Sequence, residues 1–307
     1  MKVVRSMTIR FLRRHVTVAA TVLALASATL GGCGRGEPQE SVAASSARLP
    51  PEPLVAARGM WVWATAARLT QADGITALLE SCRTANLNEV YLSVGSVLSH
   101  PRLPELVAAL RARGIRVEAL VGDATWYQLE HRSELTAAVD SVAAYNATAP
   151  ENARFVAIHF DVEPHQLAEN KVSHAFLPAL ADALRAGSDR AASRGLYTSA
   201  DLPRFALQES GAALAAAVPR IFVMLYELRD RSASALADAS AAVFDATYGG
   251  LPATASGRMV IGISVDDYPR ALEGMLGVLD TTHADRPRYA GWAIHDEAHY
   301  RATLSGR

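Results

Sequence analysis

The chain has almost no cysteine and almost no lysine, no run of like charge, and no glycine-rich turn of the kind that cradles phosphates. Two cysteines in 307 residues, Cys33 and Cys82, exclude a small fold stapled by disulfides. Acidic and basic residues nearly balance, 31 against 30, for a formal net charge of −1. Neither sign is clustered, so nothing favours nucleic acid or another polyanion as partner. Only Lys2 and Lys171 among the basic residues are lysines, which reads as a base-composition bias in the gene, because the arginines are scattered and mark no site. What the chain does have is apolar surface to bury: half of its residues are hydrophobic, enough for a large core.

The first fifty residues fall outside that core. Lys2, Arg5, Arg10, Arg13 and Arg14 precede an apolar stretch from Val16 to Leu30, followed by small residues, in the order of a secretory signal. The stretch is short and rich in Ala and Thr, a poor permanent span. It ends in Leu30-Gly31-Gly32-Cys33, which resembles the bacterial lipobox. The resemblance implies a signal peptide over 1–32 and a lipidated Cys33, each buried acyl methylene adding about 0.8 kcal/mol of membrane affinity. With Gly rather than Asp at position 34 it implies the cell envelope, at the outer membrane. Residues 34–56, rich in Gly, Pro, Ser, Ala and Glu and without apolar spacing, read as a flexible tether. Cys82 shares a helical apolar face with Ile75, Leu78 and Leu79 and is expected to be a buried thiol.

From Arg58 onward, short β-rich runs alternate with amphipathic stretches. Strands are predicted at 59–64, 88–95, 115–122, 154–163, 195–201, 220–227, 258–266 and 288–294, and helices on faces such as Leu103, Leu106, Val107, Leu110 and Leu272, Met275, Leu276, Leu279. Eight βα units in about 250 residues match a closed (β/α)8 TIM barrel over 57–307. An open doubly wound sheet is the alternative, opposed by the missing phosphate turn.

Parity assigns the strand faces. In the fourth strand Val156, Ile158, Phe160 and Val162 suit packing beneath the helices, leaving Ala157, His159, Asp161 and Glu163 towards the axis. Ionisable groups in a barrel interior are costly unless paired or open to a site. Glu163 ends the strand, on the side where barrel enzymes carry their chemistry.

The segment Val156-Ala-Ile-His-Phe-Asp161-Val-Glu163 resembles the fourth-strand signature of family 18 glycoside hydrolases, the chitinases and their relatives. Asp161 and Glu163 match its last Asp and its catalytic Glu, while Val156 and His159 replace its first two Asp. Met224-Leu225-Tyr226 resembles the family's Met-x-Tyr, and Gly291-Trp292 the Trp that floors its sugar site. The resemblance implies a glycan-cleaving enzyme needing no cofactor: Glu163 protonates the leaving oxygen, and Asp161 and Tyr226 orient and bond the substrate's N-acetyl group, which is the nucleophile. His159 then stands in for part of the proton relay. Glu163-Pro164 also resembles barrel glycosidases whose acid/base follows strand four and whose nucleophile ends strand seven, which makes Asp266 the candidate nucleophile.

Asp123 and Trp126 after strand three, and Trp63 on strand one, are candidates for sugar contact; for Asp123 and Trp126 a helix cap and a packed ring are the alternative. Trp61 and Trp63 share parity on strand one; one of them is a candidate sugar platform, with core packing the favoured alternative. Asp201 and Asp296 are read as helix caps, Glu89 and Tyr91 as buried barrel contacts, and His283 and His299 as solvated. No metal site is assigned. His159, Asp161, Glu163 and His165 are, however, a conceivable divalent-ion set, which keeps a metal phosphodiesterase open as an alternative. The other is a carbohydrate-binding barrel without turnover. The leading expectation is a hydrolase acting on a polysaccharide or oligosaccharide, held at the membrane by its lipid.

Overall fold

The structure is a computed structural model that describes residues 55–252 and 257–305. Residues 1–32, Cys33 and all but the last two residues of the 33–56 tether lie outside the described residues. Eight strands are present: β1 Ala57–Val62, β2 Glu89–Ser93, β3 Arg116–Val121, β4 Ala157–Phe160, β5 Tyr197–Pro203, β6 Arg220–Met224, β7 Arg258–Ser264 and β8 Tyr289–His295. Each pairs in parallel with the next, and β8 pairs with β1 to close the barrel. Around it lie α1 Thr65–Thr70, α2 Gly74–Thr84, α3 Leu103–Arg111, α4 Arg132–Thr148, α5 Leu177–Ser193, α6 Arg204–Ala217, α7 Ala233–Tyr248, α8 Leu272–Thr282 and α9 Glu297–Ser305. The described fold is thus a single (β/α)8 barrel domain, with strands within a few residues of those expected.

The apolar residues form two shells. The outer shell lies between strands and helices and includes Ile158, Phe160 and Val162 of the fourth strand, with Leu180 and Leu184 from α5. Cys82 is buried there with Ile75, Leu78 and Leu79, and burial pushes its thiol up to about 12, as for an inert structural cysteine. The inner shell, on the barrel axis, holds Ala57, Trp61, Tyr91, Leu120, Phe222, Val260, Ala290 and Ala293. Glu89, Glu118, His159, Ser199, Asp201 and Arg220 are buried as well.

One irregularity determines what β8 presents. Against β7, Met259 pairs with Tyr289 but Ile261 pairs with Trp292, so β8 carries an extra residue. Gly291 sits in it at φ 102°, and a Cβ there would fall 2.1 Å from the Ala57 carbonyl oxygen, so only glycine fits this bulge. The bulge reverses the strand's parity: Ala290 and Ala293 both face the axis, while Trp292 joins the outer shell and its Nε1 donates to Asp280 Oδ2 of α8 at 3.2 Å. Trp292 therefore faces away from the barrel axis. His283 is also not where the sequence suggested: it is fully buried, 2.9 Å from Ser240 Oγ through Nε2, and stacked on Tyr289. Burial lowers it to about 4.

Candidate active site

The strand interiors carry a column of charges that rises from the base of the barrel to its mouth. At the base, Arg220 reaches Glu89 at 2.8 Å and Glu118 at 3.2 Å, and Arg116 lies 3.1 Å from Glu89. The Tyr91 hydroxyl donates to Glu89 at 3.0 Å. Ser199 Oγ then bridges Glu118 Oε2, at 2.6 Å, and His159 Nδ1, at 2.8 Å. On its other side His159 Nε2 lies 2.9 Å from Asp201 Oδ2, an ion pair too bent to count as an aligned hydrogen bond. Asp201 Oδ2 accepts the indole N–H of Trp61 at 2.9 Å.

Burial works against charge throughout this column, and the partners decide the outcome. For His159 burial is outweighed by Asp201 and Glu118, which raise it to about 9, so it is an imidazolium at neutral pH. For Glu118 burial is outweighed by the His159 hydrogen bond and by Arg220, which hold it down to about 2. Each charge is offset by an opposite one, the condition under which buried ions persist.

Above this column the barrel opens into a cavity of about 350 Å³ lined by residues of several strand ends, among them Trp63, Asp161, Glu163, Asp201, Tyr226 and His295. The β4 ladder stops at Phe160, with one further bond from the Asp161 N–H to the Val121 carbonyl at 2.9 Å. Gly122 allows that approach, since a Cβ there would lie 1.8 Å from the Asp161 carbonyl oxygen. Glu163 is thus carried past the end of pairing, to the mouth. Burial, then the charges of Glu163 and Asp201, push the Asp161 carboxyl well above its usual range. Burial and Asp201 push Glu163 up to about 7. Gln166 Nε2 donates to Glu163 Oε2, and His165 Nε2 is 3.6 Å from Oε1. Burial raises the Tyr226 phenol and lowers His295, whose rings lie 4.9 Å apart. The Tyr226 hydroxyl and Asp201 Oδ1 are buried without a hydrogen-bond partner.

The structure therefore brings Glu163, Asp161, Tyr226 and Trp63 into one cavity and leaves other candidates out of it. His159 lies beneath the cavity with no exposed surface, so it contacts buried carboxylates and not a ligand. Asp266 follows the end of β7, where the chain turns; its side chain is 69 % exposed and 3.6 Å from His299, and it does not line the cavity. Asp123 closes a turn by accepting from Thr125 N and Oγ1, and Trp126 packs in the outer shell. Asp296 caps α9 through the His299 N–H, as expected.

Sequence reasoning missed Asp201, His295 and Glu227. Asp201 stands mid-strand because β5 runs on to Pro203, and its shared parity with Ser199 was the available signal. Glu227 lines the cavity from a left-handed backbone position, φ 56°, held by its N–H to Asp267 Oδ2 at 2.7 Å. Nothing local in the sequence marks it. On the β4 side, Asn170 Nδ2 donates to the Tyr127 hydroxyl and to the Pro164 carbonyl, tying the loops after β3 and β4 together. Among the described residues no group of three or more His, Cys, Asp or Glu is arranged to hold a metal ion. His159, Asp161, Glu163 and His165 form no such group.

Comparison of the sequence with protein-family models and with curated proteins gives no match. Among solved structures, the fold is similar to a family 18 chitinase from Pseudoalteromonas aurantia, with TM-score 0.53, 9% identity, and 81% of this chain and 99% of that one covered. It is also similar to the PgaB (BpsB) glycoside hydrolase domain from Bordetella bronchiseptica, with TM-score 0.50, 9% identity, and 80% and 95% covered. A family 20 exo-β-N-acetylglucosaminidase from Vibrio harveyi aligns at TM-score 0.47 and 12% identity over 80% of this chain and 50% of that one. At such identities the likeness is one of fold.

Proposed function

We propose that this chain is a glycoside hydrolase in which Glu163 is the general acid. One observation carries the reading: the barrel mouth holds a carboxyl raised to about 7 by burial and by Asp201, in a cavity that also presents Asp161, Tyr226 and the half-exposed Trp63. An acid with a pKa near the working pH keeps a proton to give to a leaving glycosidic oxygen. Trp63 supplies an apolar face for a sugar ring. The unpartnered Tyr226 hydroxyl suits a substrate acetamido group, and Asp266 stands outside the cavity, so the substrate-assisted route is favoured over a strand-seven nucleophile. The substrate is then an N-acetylated polysaccharide or oligosaccharide. A lipid on Cys33 places the enzyme at the cell envelope.

A second reading, carbohydrate binding without turnover, is favoured by the Gln166 amide on Glu163, which engages one of the two carboxyl oxygens. The two readings part on one experiment. The protein is screened for cleavage of N-acetylated and non-acetylated glycans, with Glu163→Gln as control. Cleavage confined to N-acetylated glycans, reduced about 100-fold or more in the variant while binding is kept, supports the enzyme. Binding without cleavage in the wild type supports the second reading, and full activity in Glu163→Gln removes Glu163 from the chemistry.

A further inference from the structure

We propose that Asp201, and not Asp161, is the carboxylate that accepts the substrate's acetamido N–H, held in position by Trp61 and by the His159 ring. The proposal rests on the glycoside-cleaving reading and changes its cast of residues.

The geometry of Asp201 is that of a group fixed through one oxygen and unpartnered at the other. It is 2 % exposed. Its Oδ2 receives the Trp61 N–H at 2.9 Å and faces His159 Nε2 at 2.9 Å, whereas its Oδ1 is buried, has no partner and belongs to a cavity-lining residue. A buried acceptor left unsatisfied is costly, so such an atom marks the place of a donor that arrives with a ligand. Of the groups lining that cavity, Asp161 is the weaker acceptor, because burial and its carboxylate neighbours push its carboxyl well above the usual range. In its protonated form Asp161 donates, which suits the carbonyl oxygen of the same acetamido group.

The surroundings of Asp201 are fully built. β4 and the segment that follows it face it with His159, Asp161 and Glu163, β1 with Trp61, the segment after β6 with Tyr226, and β8 with His295. His159 is a positioning residue: it touches no ligand, but it is locked from below by Ser199 Oγ at 2.8 Å and Glu118 Oε2 at 3.4 Å. Glu118 is in turn held by Arg220. The imidazolium therefore cannot swing away from Asp201 without breaking the column beneath it.

The test uses the full chain and needs no substrate for its first arm. The Glu163 carboxyl is titrated by carbon-13 NMR in the wild type, in Asp201→Asn and in Trp61→Phe, with folding checked by circular dichroism. Removing the Asp201 charge is expected to lower the Glu163 midpoint by about one unit or more, while Trp61→Phe, which keeps the charge and removes the anchor, leaves it near the wild-type value. An unchanged midpoint in Asp201→Asn overturns the proposal. In the second arm, on an N-acetylated aryl glycoside, Asp201→Asn is expected to lose roughly 100-fold or more in kcat and Trp61→Phe roughly tenfold. Normal turnover in Asp201→Asn overturns the proposal and leaves the glycosidase reading intact. A wild-type chain that cleaves no glycan fails that reading instead, and the titration then decides whether the Asp201 charge faces the cavity. If Asp201→Asn does not fold, Trp61→Phe decides alone, and full activity there overturns the proposal.

Discussion

Trp61 on β1 donates its indole N–H across the barrel to the Asp201 carboxylate on β5 at 2.9 Å. This one bond joins the apolar filling of the barrel to its chemistry, for Trp61 also packs against Tyr91 and Phe222 in the inner shell and helps to line the mouth cavity. The floor of the candidate site is therefore as rigid as the core beneath it.

The raised Glu163 carboxyl gives the first prediction. An acid raised to about 7 is lost as pH climbs through that value, so turnover on a verified glycan should fall on the alkaline side of about pH 7. Stability follows the same proton. Because the folded value lies above the ordinary 4.5, the contribution of Glu163 is complete below about 4.5 and is lost as pH rises through about 7. Glu163→Gln should match the wild type in urea denaturation near pH 4.5 and exceed it at pH 8, by at most about 3 kcal/mol. Equal differences at both pH values would show that the carboxyl is not raised.

The β8 bulge gives the second. Gly291→Ala places a Cβ against the Ala57 carbonyl at a backbone angle that suits glycine alone. The variant should lose about 3 kcal/mol or more of unfolding free energy, read from the urea midpoint. A loss under about 1 kcal/mol would mean that the strand tolerates regular parity.

The two rim and wall tryptophans give the third. Trp63 is exposed at the mouth, with Nε1 3.3 Å from His295 Nε2, while Trp292 packs outward beside α8. Trp63→Ala should weaken oligosaccharide binding about tenfold, and Trp292→Phe should leave it unchanged while lowering thermal stability. Calorimetric titration with a bound oligosaccharide distinguishes them, and the reverse pattern would restore Trp292 to the sugar site.

The lipobox resemblance gives the fourth. Cys33→Ala should yield a protein that takes up no labelled fatty acid and is recovered in soluble form. Label on the substituted protein would rule out Cys33 as the lipid carrier.

Much of the barrel was legible because its signals are local. Alternation along Val156 to Glu163 named both the outward apolar face and the inward polar one, and placed Glu163 at the C-terminal end of the run, although pairing itself stops at Phe160. What escaped depended on contacts distant in sequence. Asp201 looked like a helix cap because an Asp at the close of a β-rich run is commonly one; only the partners Trp61 and His159, 140 residues away in one case, reveal it as part of the site. Trp292 faces the side opposite to the expected one for a different reason. A two-residue period predicts its side, but a single inserted residue at Gly291 reverses the period, and a lone glycine in a strand is the only trace of that. His283 reads as solvated from sequence because its own helix gives no hint of Ser240 on α7.

The charge column has one more consequence, which concerns assembly. Arg220 of β6 meets Glu89 of β2 and Glu118 of β3 only when these strands stand at one height relative to each other. A purely aliphatic interior would accept neighbouring strands slipped by two residues at modest cost, since one branched side chain replaces another. Here a slip leaves a guanidinium or a carboxylate buried without its counterion, at a cost of about 3–5 kcal/mol for each broken pair. The ions beneath the mouth thus act as a key for closure: the barrel can shut in one alignment, and that alignment is the one that sets Asp201 opposite Glu163.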